Sequence, residues 1–208
     1  MDSGKKGKPQ ATTNTGHGNK RKPRTTASHW LDSSDAVVFQ YHEERLLSLQ
    51  FNVRGNPRPL IRHRTKARGV VYNPSSLLQK SFRDQVLQIM ASVGRNLKAP
   101  LFLGKDCLVM TVVLRMQRPK SHFVGSRRGQ DRLKASAPRV VPDSRTDVDN
   151  MAKFVMDAMN KVLYPDDHQI ASLRVTKVLD NDGLCEGSTE ISIRAIGENG
   201  LDALTKCT

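Results

Sequence analysis

The sequence predicts an α+β fold (α/β in the broad sense): a small mixed β-sheet with two helices packed on it, preceded by a disordered basic tail. Three observations predict it. Short β-branched runs alternate with two longer stretches of helical periodicity. The first 28 residues contain no Leu, Ile, Val or Phe, so they cannot offset the entropy of ordering. The chain of 208 residues is 37% apolar, which suits one domain plus tails. The expected organisation is a tail and linker over 1–44, a domain over 45–197 and a frayed C-terminal tail over 198–208.

The elements follow in order. "RLLSLQFNV" (45–53) reads as a strand. "RGNPRPLIRHRTKARGVVYNP" (54–74) is rich in Gly, Pro and basic residues and reads as a loop or irregular hairpin. Leu78, Phe82, Val86, Ile89 and Val93 recur at helical spacing over 75–93, with Ser75 or Ser76 to cap the start and Gly94 after the end. "CLVMTVVLRM" (107–116) is apolar on both faces, as a central strand would be. Residues 117–145 lack periodicity and read as a long functional loop. A second helix runs from 147 to 163, with Val148, Met151, Ala152, Val155, Met159 and Val162 on one stripe and Thr146 or Asp147 as its cap. "IASLRVTKVLD" (170–180) and "TEISIRAI" (189–196) alternate, and the "NDG" between them suggests a β-hairpin with a long connection.

The formal net charge is +14, with a pI near 10.1. Residues 1–28, 54–68 and 115–145 hold seven, six and nine Lys/Arg against three acids in total. The rest carries 12 basic and 17 acidic residues. A mildly acidic body thus bears a basic tail and basic loops, which favours a polyanionic partner, nucleic acid before membrane. No apolar run of 18 residues exists, so no transmembrane helix is expected, and the N-terminus lacks the apolar core of a secretory signal. Cys107, Cys185 and Cys207 form no zinc pattern and read as free thiols in a reducing, intracellular compartment. "NKRKPR" (19–24) fits a nuclear address, a loose phosphate-binding arm or a plain solvated tail. Neither a P-loop nor a zinc-deaminase signature is present.

The carboxylates need explaining. On a helix, Asp149, Lys153 and Asp157 stack along the face opposite the apolar stripe, with Asp147 at the first turn and Asp166 and Asp167 after the following turn. Acids near a helix start offset the macrodipole, Asp157 and Lys161 could be a surface ion pair, and "PDD" could be a plain turn. Yet carboxylates clustered in a polyphosphate-binding protein suit a hard cation between them. Such a cation activates water and steadies charge at phosphorus, and a lysine one turn away can neutralise the same charge. The neighbouring His168 reads as a surface residue or as a support behind the acid pair.

At "DVDNMAKFVMDAMNKVLYPDDHQI" the sequence resembles the RusA-type Holliday junction resolvases. That family's pattern is D-x-D-N, a Lys three residues on, D-A-hydrophobic-N and D-D-x-Q-I/V. The 55–74 loop and "RPKSH" (118–122) are similar to family segments too, and the likeness covers roughly 45–196. The resemblance implies a RusA-like fold, Mg2+ as cofactor with Mn2+ as a substitute, and a homodimer. The dimer would cut two strands of a four-way DNA junction symmetrically, leaving 5′-phosphate and 3′-hydroxyl ends in recombination and repair. It implies metal binding and catalysis by Asp147, Asp149 and Asp167, a catalytic Lys153, and supporting roles for Asn150, Asp157 and Asp166. Arg58, Arg62, Arg64, Lys66, Arg68, Arg118, Lys120, Arg127 and Arg128 would then line the DNA through its phosphates. The tail, the 117–145 loop and the 180–188 connection depart from the family pattern and leave flaps or branched RNA open as substrates. A non-catalytic branched-nucleic-acid-binding protein on the same scaffold is the alternative.

Overall fold

The computed structural model describes residues 36–65, 67–140 and 146–197. Most of the expected tail (1–35), Lys66, residues 141–145 and the C-terminal tail 198–208 lie outside the described residues. The fold is a five-stranded mixed sheet with two helices on it, as expected. The strands are β1 (Val38–His42), β2 (Arg45–Arg54), β5 (Cys107–Met116), β6 (Ile170–Leu179) and β7 (Ser188–Ile196), and a two-stranded ribbon of β3 (Arg64–Thr65) and β4 (Val71–Tyr72) stands apart. The order across the main sheet is β1-β2-β7-β5-β6, antiparallel except for the β5–β6 pair.

Two expectations fail here. Residues 38–42, read as linker, form edge strand β1 paired with β2. The β6–β7 hairpin does not exist, because β5 lies between the two strands: Val113 pairs with Thr176 on one side and with Glu190 on the other. β7 inserts between β2 and β5, while β6 reaches the other side of β5 through helix α2 (Val148–Met159). Its crossover brings β6 back parallel to β5, and parallel neighbours need such a connection. The 180–188 segment then has to pass around the end of β5, where Asp180 N–H donates to Met116 O at 2.9 Å.

One face of the sheet is sealed. Leu108, Met110, Val112 and Leu114 of β5, Leu49 of β2 and Ile193 of β7 are wholly buried in the same core as Val86 and Met90 of α1 (Ser76–Ser92) and Met151, Ala158 and Met159 of α2. Each of these side chains except the smaller Ala158 contributes roughly 1.5–3 kcal/mol by leaving water. The opposite face of β5, through Cys107, Val109, Thr111, Val113 and Arg115, is only partly covered, so the strand is not equally buried on both sides.

The helices are shifted from their expected faces and ends. In α1 the buried side chains are Gln79, Phe82, Val86 and Met90, while Leu78 and Val93 face solvent. Gly94 (φ +78°) ends α1 as expected: its N–H donates to Ala91 O and that of Arg95 to Met90 O, the double closure that a left-handed residue permits. Ser75 does not cap α1 with its side chain; its Oγ accepts from Ile61 N–H at 2.9 Å. α2 stops at Met159, four residues early, and Val148 is exposed, but Val162, Leu163 and Tyr164 still reach the core from the turn that follows.

Candidate active site

Helix α2 carries its apolar stripe inward, which leaves Asp147, Asp149, Lys153 and Asp157 at its outer rim. Asp147 precedes the first turn in an extended conformation, and its side chain makes no cap bond to the helix. Its Oδ2 instead accepts from Asn150 Nδ2 at 3.4 Å. Asp149 faces solvent, and among the described residues neither Asp147 nor Asp149 enters an ion pair.

Lys153 is the centre of the rim. Its ammonium lies 2.6 Å from Asp167 Oδ2 and 2.9 Å from Asp157 Oδ1, and its side chain remains 48% exposed. Asp157 therefore pairs with Lys153 and not with Lys161. The hydrogen bond to Asp167, and next that to Asp157, hold the lysine above its usual range. Lys153 is thus a fixed cation and donor at neutral pH, not a base.

Asp167 opens a single 3₁₀ turn (Asp167–Gln169) that leads into β6. The turn is set from both sides. Asp166 Oδ1 accepts from His168 N–H at 3.2 Å, and that bond is the main reason its carboxyl titrates below the ordinary range. His168 is otherwise exposed, with Nδ1 3.3 Å from the same oxygen. Gln169, the Gln of the D-D-x-Q-I/V pattern but given no role there, is buried and donates from Nε2 to Leu103 O (2.6 Å) and Asp106 O (3.0 Å). Asp106 is itself buried against Arg45 at 2.6 Å. No local pattern marks its burial, because the strand that it leads into alternates and is for the most part exposed or half-buried. Tyr164 was also missed. Its buried hydroxyl donates to Met156 O at 3.0 Å, and burial, with the charges of Asp167 and Asp157, pushes the phenol far above its usual range.

The structure therefore brings Asp167 to Lys153 and Asp157, one helical turn beyond Asp149. Lys177 of β6 donates to Thr146 O at 2.6 Å, so the strand runs alongside the helix and ties its start as well. Among the described residues no three His, Cys, Asp or Glu side chains converge closely enough to hold a metal. The donor chemistry nonetheless fits a hard dication: Asp147, Asp149 and Asp167 offer only carboxylate oxygen, and the first two have no cation of their own among the described residues.

The two basic loops differ. Arg58, Arg62, Arg64 and Arg68 are exposed, and the loop that bears them is pinned to α2 by Leu60 N–H donating to Asn150 O at 2.9 Å. In the second loop Lys120 and Arg127 are exposed and Arg128 is half-buried. Arg118 is a correction, because it is 0% exposed and faces no DNA. Its guanidinium donates to the carbonyls of Asp180 (2.6 Å), Pro138 (2.7 Å) and Arg139 (2.9 Å) and to Asn181 Oδ1. Burial lowers its pKa, yet an arginine keeps its proton. It therefore clamps the 117–140 loop to the 180–188 connection.

The match to known proteins falls on this domain. The family model of endodeoxyribonuclease RusA matches residues 50–194. The chain is also 30% identical over 149 residues to the uncharacterized protein YqaN of Bacillus subtilis (strain 168), covering 71% of this chain and 96% of that protein.

Proposed function

This chain belongs to the endodeoxyribonuclease RusA family, and on that premise we propose that it is a Mg2+-dependent, structure-selective DNA endonuclease that resolves four-way junctions as a homodimer. The observation that supports this most is the Lys153 ammonium held between Asp157 and the Asp167 turn, beside two carboxylates without a cation partner among the described residues. Asp147, Asp149 and Asp167 would hold the dication, which when bound supplies Lewis-acid polarisation of the phosphate and activation of water. The chain's own residues do the rest. Lys153 presents a permanent positive charge to the oxygens on which charge develops. Asp157 keeps that charge aimed outward from the helix, and Gln169 fixes the turn that bears Asp167. Arg58, Arg62, Arg64 and Arg68 of the first basic loop, and Lys120, Arg127 and Arg128 of the second, bind phosphates without reading sequence. Paired cuts require two such sites related by a two-fold axis, hence the dimer.

The test uses purified full-length protein with a synthetic four-way junction, a flap and a linear duplex, in Mg2+ or EDTA. Paired, symmetric nicks confined to the junction and abolished by EDTA are expected. Tight junction binding with no cleavage in any divalent metal would instead leave a DNA-binding protein on a nuclease scaffold. Binding should fall steeply with salt, since many phosphates are contacted.

A further inference from the structure

The 61–78 corner carries a surface that phosphate binding does not explain. Val70 (57% exposed), Val71 (64%), Ile61 (40%), Leu77 (79%) and Leu78 (44%) are aliphatic and face solvent. Leu77 and Leu78 open α1, and Ile61 is tied to that helix start through Ser75. Val71 lies on β4, opposite Thr65 of β3. Leu78 also shares a cleft with Arg54 and Arg58, so apolar and cationic groups line one wall. The turn between β3 and β4 is built in an uncommon way. Arg68 (φ +71°) and Gly69 (φ +77°) are both left-handed, and an arginine there is strained by roughly 1–2 kcal/mol. Observed strain of this kind clusters at functional sites.

Charge identifies the occupant. Residues 54–83 contain no Asp or Glu, and Arg54, Arg58, Arg62, Arg64 and Arg68 are interspersed along the same stretch of sequence. A second copy seated on its own counterpart would oppose arginine to arginine. A polyanion with an apolar surface fits instead. In continuous duplex the flat faces of the base pairs are stacked away, but at a branch point the terminal pairs expose them. The corner is anchored to the first turn of α2 through Leu60 and Asn150, beside the acidic rim.

We propose that the β3–β4 ribbon and the start of α1 form a base-contacting wedge. Val70 and Val71 rest on the base-pair faces exposed at the branch, while the flanking arginines hold the phosphates. This rests on the endonuclease reading and names the element that selects branched over linear DNA. Apolar side chains driven against a base step unstack it elsewhere in DNA recognition.

The test measures full-length protein in EDTA on junctions carrying 2-aminopurine at the branch or within an arm, and on linear duplex. The wild type should brighten the branch probe alone and prefer the junction. V70T/V71T keeps shape and strand propensity while removing the apolar contact. It should lose the branch signal and about tenfold of junction affinity, with duplex affinity unchanged. R64Q/R68Q should weaken junction and duplex alike and flatten the salt dependence. If V70T/V71T keeps both the branch signal and the preference, the wedge is wrong while the nuclease reading stands. If that variant changes only self-association in sedimentation, the corner is a protein interface and the proposal falls. A wild type that neither prefers nor cuts junctions removes the endonuclease reading and the wedge with it.

Discussion

Two cations of this molecule, Lys153 and Arg118, carry the same charge in opposite settings. Lys153 is half-exposed and held by two carboxylates. Arg118 has no exposed surface and is held by three backbone carbonyls and an asparagine. Water can reach the first, so its ion pairs contribute little to stability and leave it available to a substrate. The second satisfies chain segments that would otherwise bury unpaired carbonyls, so its contribution is architectural. Charge type alone does not separate an accessible cation from a structural one; the partners and the solvent do.

The comparison can be broken in four ways. The largest effect should come from Lys153→Ala or Asp149→Asn, each lowering single-turnover junction cleavage by about 10²–10³-fold. Junction affinity and melting temperature should stay near wild type, and a variant that unfolds would place Lys153 with the architectural group. Next, Arg118→Ala should destabilise the fold by about 3 kcal/mol in urea titration, because several buried acceptors lose their donor together. It should also open the 119–140 loop to limited proteolysis; unchanged stability would show that the clamp carries no weight.

Gln169→Leu lies between the two classes. It keeps volume but removes both donors to the 103–106 loop. Cleavage should fall about tenfold through Asp167, with a stability loss of about 1–2 kcal/mol. Restored cleavage in Gln169→Asn, measured as a change in kcat at constant KM, would identify a positioning role. The smallest effect concerns Cys185, which is buried beside Arg118 with its thiol pushed up by burial. The folded state retains this proton while the unfolded chain loses it near the ordinary value of 9.0. Its contribution is therefore complete below that pH and lost as pH rises through the higher folded value. The alkaline decline in urea-derived stability should be shallower in Cys185→Ala. Alkylation of Cys185 at pH 8 should be slow in wild type and fast in Arg118→Ala.

Much of this was legible in the sequence where periodicity and local chemistry agree. The two helices, four of the five main strands and the Gly94 stop follow from patterns within a few residues. Pairing across the sheet did not, because β6 and β7 both alternate well enough to be a hairpin, and only the insertion of β7 between β2 and β5 excludes it. The stripe of α1 was misread because Leu78 is apolar but exposed, while Gln79 is polar but buried against Asn73. Arg118 looked like one more DNA contact because a buried guanidinium and a surface one are the same letter. The "DD" turn was readable as acid, but its union with Lys153 depended on β6 running beside α2, a relation between elements that no local pattern encodes.

Gly187 lies where three segments meet. A Cβ there would stand 2.9 Å from Arg115 O and from Asn56 Cα and 3.0 Å from Gln117 N, at a backbone φ of +95°. Asn56 Oδ1 accepts from Gln117 N–H at 2.9 Å, and Gly55 N–H donates to Gly187 O at 2.9 Å. Both basic loops and the 180–188 connection therefore share one root, closed by a hydrogen atom where any other residue has carbon. Tolerance of change is accordingly uneven along these segments. Their exposed tips leave room for added length, while the root admits no side chain, so that loops far apart in sequence remain hinged to a single fixed point.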